Sequence, residues 1–209
     1  MTSGPGADLL ALGAATLGES GARPMHPRVK AVWPGAMLAG LAVTVGCPPG
    51  DNLAVHVAVA SAPPASVLVV DVGGRRELGY WGEVLTTAAE ARGLAGLVID
   101  GCVRDVAALE AHGFPVFSTG IALPGAVKTG PGTVGAPVAA GDVEVAAGDW
   151  IVGDADGVVV VPASELDAVL DAGRTRAAKE QGMFDRLRDG ATTIDLLDLD
   201  PGPIETGRS

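Results

Sequence analysis

Aromatic residues are scarce in this chain: one tyrosine, three phenylalanines and three tryptophans, 3% of 209 residues. A core built around rings is therefore excluded. It must come from close packing of Ala, Val, Leu and Ile within a 48% hydrophobic composition. Cations are also few, with 14 Lys and Arg against 25 Asp and Glu and a formal net charge of −11. That balance excludes a basic nucleic-acid-binding face. It also removes any general attraction for anions, so an anionic ligand has to be captured by local groups. The only two cysteines, Cys47 and Cys102, are too far apart in sequence for a metal or redox motif, and they read as reduced thiols in a cytoplasmic protein. No apolar run approaches the ~20 residues of a membrane helix. No basic segment leads into an apolar stretch at the N-terminus, so neither a signal peptide nor a membrane partner is expected.

Glycine and proline, by contrast, are plentiful, at 31 and 15 residues spread along the chain, and they punctuate many short elements. The pattern predicts a helix over 8–18, an irregular wrap over 25–35 and a strand over 37–45. A turn at Cys47 to Asn52 follows, where Asp51 or Asn52 caps a helix over 53–60. Next come a strand over 67–71, a helix over 83–92, a strand over 94–99, a helix from about 105 to 111 and a strand over 115–118. From Gly120 to Pro162 the chain reads as glycine-separated β segments, with a tight turn at Asp154 to Gly157. A long helix capped by Ser164 runs to about Leu187, and the tail after Gly190 reads as frayed or docked on a neighbour. There is no internal repeat. The expectation is one α/β domain over residues 1–209.

The feature that points to chemistry is Arg104-Asp105, where the run from Gly93 through LAGLVIDGCV breaks off. It places a cation and a carboxylate side by side at the carboxyl end of a strand, where open α/β proteins bind ligands. Upstream, Gly82-Glu83-Val84-Leu85 opens a helix whose first backbone N–H groups are free to hold an anion. Together these residues suit a small oxo-acid. Asp105 has an ordinary alternative as the cap of the helix that follows it, and Arg104 as a surface cation. Glu83 is favoured at any helix start, and Glu180 near Arg176 reads on its own as a solvated face.

Other patterns fail on their spacing. Gly120 to Gly125 has the spacing of a phosphate loop, but Ala126 stands where the lysine belongs and Lys128 comes two places late. Asp154 to Gly157 resembles the start of a calcium loop, but its glycine comes too early. His26, His56 and His112 show no ligand spacing and read as structural. No Gly-x-Ser-x-Gly elbow is present. No lysine joins the Arg104 cluster in sequence, so a Schiff-base route has no evident nucleophile.

The segments CPPGDNLAVH from Cys47, VLVVDVGG from Val67, GEVLTTAAEARGLAGLVIDGCVRDV from Gly82 and GDWIVGDADGVVVVP from Gly148 resemble the RraA-like family. Within it they are most similar to the 4-hydroxy-4-methyl-2-oxoglutarate (HMG)/4-carboxy-4-hydroxy-2-oxoadipate (CHA) aldolases. The resemblance runs from about Ala14 to Leu196. It implies a swivelling β/β/α-type domain assembled as a homotrimer or hexamer. The implied activity is that of a divalent-metal class II pyruvate aldolase with oxaloacetate decarboxylase activity. Carried over residue by residue, it implies that Asp105 ligates Mg²⁺ or Mn²⁺ directly and that Arg104 binds the keto oxygen of a 2-oxo acid. Glu83 would hold metal-bound waters, and the N–H groups of Val84 and Leu85, after Gly82, would receive the pyruvyl carboxylate. Glu180 would reach the metal waters of a neighbouring subunit.

The family also contains non-catalytic regulators of an RNA-degrading endonuclease, which lack the aspartate after the arginine. Asp105 therefore points to the enzymatic branch. Ala108, where some aldolases carry an acid, and Ser118-Thr119, in place of Ala-Arg, depart from the family pattern at positions tied to substrate preference. A β-keto-acid decarboxylase or lyase in secondary metabolism, with oxaloacetate turnover as a side reaction, is a third reading.

Overall fold

Val67–Asp71 (β4) and Gly96–Asp100 (β6) are apolar at nearly every position, and a strand of that kind needs cover on both faces. The structure, a computed structural model describing residues 4–204, places them as paired parallel strands in the middle of a nine-stranded sheet. The ends of the expected 1–209 domain, residues 1–3 and 205–209, lie outside the described residues. Leu38–Gly46 (β3) pairs parallel with β4, and Val116–Ser118 (β8) pairs parallel with β6. Antiparallel strands extend the sheet on both sides. Trp150–Asp154 (β13), Gly157–Val161 (β14) and Arg23–Pro24 (β1) follow outward from β3, Lys30–Ala31 (β2) closes the far edge on β8, and Thr133–Val134 (β10) also pairs with β3.

The helices cover this sheet. Leu53–Ser61 (α2), Glu83–Ala91 (α3) and Val106–His112 (α4) contribute to one apolar cluster with Val45, Leu68, Val70, Leu97 and Ile99. Pro5–Gly18 (α1) and Leu166–Arg188 (α5) pack on β13 and β14 through Leu9, Leu17, Val169 and Leu170. Val138–Ala140 (β11) and Val143–Val145 (β12), a separate hairpin, close a third cluster with Phe117 and Val98. Each buried Val or Leu contributes roughly 1.5–3 kcal/mol. The few rings are spent where they count: Tyr80, Trp81 and Phe117 are among the largest fully buried side chains.

The mixed α/β architecture and most of its elements agree with the sequence reading; four local expectations change. The stretch read as an irregular wrap contains β2. Ser164 does not cap the terminal helix: a 3-10 turn at Ala163–Glu165 precedes α5, whose start lies at Leu166 with no side-chain cap. The tail is not wholly frayed, because Thr192 and Asp195 form a reciprocal capping box that starts Thr193–Leu197 (α6). The helix α1 is kinked at Gly13 (φ 78°), and Asp154 Oδ2 accepts the freed Ala14 N–H at 2.7 Å. No helix among the described residues is long and apolar enough to cross a membrane.

A second, three-stranded parallel sheet positions the site. It consists of Gly79–Trp81 (β5), Cys102–Val103 (β7) and Gly120–Ile121 (β9). Too short to show periodicity, these strands have no signature in the sequence.

Candidate active site

Parallel pairing of β5 with β7, Gly79 opposite Cys102 and Trp81 opposite Val103, brings their carboxyl ends level. Gly82, which leads into α3, therefore lies beside Arg104 and Asp105, which lead into α4. The sequence placed this pair at the end of the strand over 94–99. Instead, that strand ends at the buried Asp100 and the pair follows β7. The Arg104 N–H donates to Trp81 O at 2.9 Å. Trp81 is itself anchored: its ring N–H donates to Thr86 Oγ1 at 2.7 Å, and the ring stacks on Phe114 at a 6.0 Å centroid distance.

Asp105 does not cap α4 with its side chain, which corrects the ordinary reading of that residue. Its backbone is left-handed (φ 60°, ψ 36°), a conformation Asp tolerates better than most residues. This turns the carboxylate away from α4, and Oδ2 accepts the Glu83 N–H of α3 at 3.1 Å. Arg104 Nε lies 3.7 Å from the same oxygen, and both side chains are more than two-fifths exposed. Two glycines make room for this. A Cβ on Gly82 would collide with Asp105 Oδ2, and one on Gly79 would lie 3.2 Å from Arg104 Cδ and 2.6 Å from the Ala122 carbonyl.

A cavity of about 230 Å³ opens here, lined by Gly82, Val84, Leu85, Arg104 and Asp105. The first turn of α3 offers N–H groups without intrahelical partners. Glu83 is not among the lining residues; its Oε1 lies 3.8 Å from His112 Nε2, and His112 Nδ1 lies 2.8 Å from Glu90. The structural role expected of His112 thus takes the form of a bridge from α4 to α3. Glu180 does not meet this cluster within one chain. It lies 2.8 Å from Arg176, which also pairs with Glu19, and lines a separate cleft of about 510 Å³ with Thr16, Pro24 and Asp156. Ala108, Ser118 and Thr119 do not line the cavity either.

Several residues lining the cavity escaped the sequence reading, among them Asn52, His56, Tyr80, Trp81 and Lys128. His56, read as structural, faces this cavity from α2, and its Nε2 is enclosed with no hydrogen-bond partner. Burial first, then the Lys128 charge, pushes its imidazole below the ordinary range. The expectation that no lysine joins the cluster is overturned, since Lys128 folds in from the loop after Gly125. Lys128 is exposed, however, whereas Schiff-base lysines are activated by desolvation or by a neighbouring cation. The signal for Asn52 and His56 was present as an i, i+4 spacing at a helix start, but nothing local says what that face meets.

Two further carboxylates hold the frame. Asn52, the N-cap residue of α2, makes no side-chain cap bond; Asp51, one residue before it, accepts the Leu53 N–H at 2.7 Å through Oδ1. Its Oδ2 accepts Thr129 and Gly130 N–H groups at 2.6 and 2.7 Å, clamping the loop that carries Lys128. The Leu53 N–H bond leads in holding this carboxyl below the usual range. Asp100 is 3% exposed and accepts from Arg76 (2.7 and 3.1 Å), Arg28 (3.0 Å twice) and the Gly141 N–H (3.1 Å). Burial pushes its carboxyl up, but the bonds from Arg76 and Arg28 outweigh that and hold it far below the usual range.

The fit of a metal rests on the donors. No group of three or more His, Cys, Asp or Glu that could hold a metal occurs among the described residues. Asp105 therefore stands as a lone carboxylate with one oxygen bonded to Glu83 N–H. Such a donor suits a hard divalent cation that keeps most of its water, as Mg²⁺ does.

With this geometry in view, the chain belongs to the RraA-like family, described as Aldolase/RraA, whose profile matches residues 11–160. It is 37% identical over 155 residues, 74% of each chain, to a Halalkalibacterium halodurans protein named "Putative 4-hydroxy-4-methyl-2-oxoglutarate aldolase". Among solved structures it is similar to a Pseudomonas syringae protein (TM-score 0.81, 28% identity, 90% of each chain). It is also similar to Streptomyces coelicolor RraAS2, described as an unusual member of the RNase ES inhibitor RraA protein family (TM-score 0.73, 28% identity, covering 90% of this chain and 96% of that one).

Proposed function

We propose that this protein is a divalent-metal-dependent class II pyruvate aldolase that cleaves 4-hydroxy-2-oxo diacids of the HMG/CHA type to pyruvate and also decarboxylates oxaloacetate. The observation that carries this reading is the Asp105 carboxylate turned back to the start of α3 beside Arg104, on the wall of one cavity. The aldolase names of relatives support it. Asp105 would hold Mg²⁺ or Mn²⁺. Bound there, such an ion acts as a Lewis acid toward the 2-oxo acid.

The residues of the chain supply the rest. Retro-aldol cleavage and decarboxylation share one difficulty, since each leaves an electron pair on the carbon beside a ketone. The Arg104 guanidinium offers fixed positive charge where the keto oxygen becomes negative, and removing one such donor typically costs ~2.7–4 kcal/mol. The first-turn N–H groups at Val84 and Leu85 would receive the pyruvyl carboxylate, favoured there by the helix dipole. Glu83 and Glu180 would order water near the ion. Glu180 belongs to the site only if a second copy supplies it, and the homotrimer or hexamer that the family resemblance implies is proposed as its source.

The test is pyruvate release from oxaloacetate and from a branched 4-hydroxy-2-oxo diacid, with Mg²⁺ and then with EDTA. Release from both that stops with EDTA is expected, whereas metal-independent release or none would overturn the reading. The similarity to RraAS2 favours a second reading, a non-catalytic regulator docking on an RNA-degrading endonuclease. Such a binder has no use for Asp105, and EDTA would leave its binding unchanged.

A further inference from the structure

The small sheet that carries the site has few bonds of its own to hold its register. β5 and β7 have three and two residues, and their pairing already shifts between Gly79 and Trp81. A one-residue slip in such a pair turns every side chain to the other face, and here it would carry Gly82 past Arg104 and Asp105. The ladder is instead closed at both ends. At the site end the Arg104 N–H donates to Trp81 O at 2.9 Å. At the other end stands Arg76. Its carbonyl accepts the Cys102 N–H at 2.9 Å, and its guanidinium donates to both oxygens of Asp100 at 2.7 and 3.1 Å. Asp100 ends β6 and Cys102 begins β7, so one residue grips the chain on either side of Gly101.

The anchor is fixed and the link to it is directional. Asp100 is buried and also bonded by Arg28 and the Gly141 N–H, so it stays in place when one partner is removed. A bidentate guanidinium sets orientation as well as distance. Tyr80, the other anchor of this segment, donates its hydroxyl to Arg75 O and accepts the Gly50 N–H, and neither bond reaches β6 or β7. Arg28 grips the same carboxylate from the segment before β2. It also pairs with Asp142 in the β11–β12 turn, so it bears on that hairpin and not on the small sheet. Neither Arg76 nor Asp100 lines the cavity. We propose that Arg76 is a positioning residue for the site: by tying the entry of β5 to Asp100, it sets the offset of Gly82, Val84 and Leu85 against Arg104 and Asp105. Its effect on turnover rests on the aldolase reading, and its effect on the register does not.

Arg76→Ala and Arg28→Ala, made in the full chain, each take one guanidinium from Asp100, and only the first frees the small sheet. Both are expected to lower the melting midpoint. Only Arg76→Ala should speed amide exchange at Cys102 and Arg104. It alone should also lower kcat for pyruvate release from oxaloacetate with Mg²⁺, by about 10²-fold, the scale of an ångström of misplacement. Arg76→Lys, whose ammonium can still bond one Asp100 oxygen, should recover part of that loss. If Arg76→Ala fails to fold, Arg76→Lys carries the test, with faster exchange and a lowered kcat expected against wild type. Equal loss of activity in Arg28→Ala, unaltered exchange at Arg104 on changing Arg76, full activity despite faster exchange, or no recovery with Arg76→Lys overturns the proposal. A wild type that releases no pyruvate defeats the aldolase reading, and exchange at Cys102 and Arg104 in the Arg76 and Arg28 variants then decides alone.

Discussion

Asp105 Oδ2 fills the space beside Gly82 that any side chain at that position would need, so the approach of carboxylate to helix end depends on a missing Cβ. Gly82→Ala should displace Asp105 while leaving the core clusters untouched. An ångström of misplacement in a reacting site costs on the order of 10²-fold in rate. A loss of that size in pyruvate release, with a melting midpoint close to wild type, is expected. Full activity would mean that this carboxylate is not where the chemistry happens.

Arg104 makes one long ion pair and is nearly half exposed. Arg104→Ala should therefore change stability by less than about 0.5 kcal/mol while lowering kcat by about 10²–10³-fold. Rates from steady-state pyruvate release, set against thermal melts, separate the two effects.

Asp105→Asn keeps a residue that tolerates the left-handed backbone but removes the charge. Calorimetric titration with Mg²⁺ or Mn²⁺ should show the metal signal of the wild type lost. Raising the metal concentration should not restore pyruvate release.

Asp100 is expected to contribute stability with a defined pH dependence. Its folded-state carboxyl lies below its unfolded value, so the contribution is complete above the unfolded value near pH ~4 and fades as pH falls toward the folded one. Asp100→Asn should destabilise by about 2–4 kcal/mol at pH 7, discounted for partly exposed arginines. The gap between the melting curves of variant and wild type should narrow below pH ~4. A gap constant down to pH ~2 would contradict the network described.

Asp51→Ala should free the loop over residues 125–130, because three backbone N–H groups lose their acceptor. Faster amide exchange at Leu53, Thr129 and Gly130 with little change elsewhere is expected, together with a raised KM.

Much of this molecule is legible without coordinates. Residues 67–70 form an unbroken apolar run closed by Asp71, and the structure makes Val67–Asp71 a strand with the bounds expected. The alternation of Leu38–Gly46 and the helix start at Glu83 follow from period and capping chemistry. Arg104-Asp105 stood out because a charged pair at a strand-to-helix junction has a restricted set of uses. The small sheet of β5, β7 and β9 was not legible, since two or three residues carry no period. Nor was Asp100, which looks like the polar end of a strand until Arg28 and Arg76 are folded onto it.

The amino-acid order by itself determined most of the longer strands and helices, and that Asp105 follows Arg104 just before a helix, because these depend on neighbours within a few residues. Only the tertiary structure decided that Asp105 turns to the start of α3 instead of capping its own helix. It alone brought Asn52, His56 and Lys128 to that same cavity. Those meetings depend on the parallel register of β5 with β7 and on a loop clamped by Asp51, contacts between residues far apart in sequence. Local pattern carries no information about such distances. The burial of the core, summed over the whole chain, settles them.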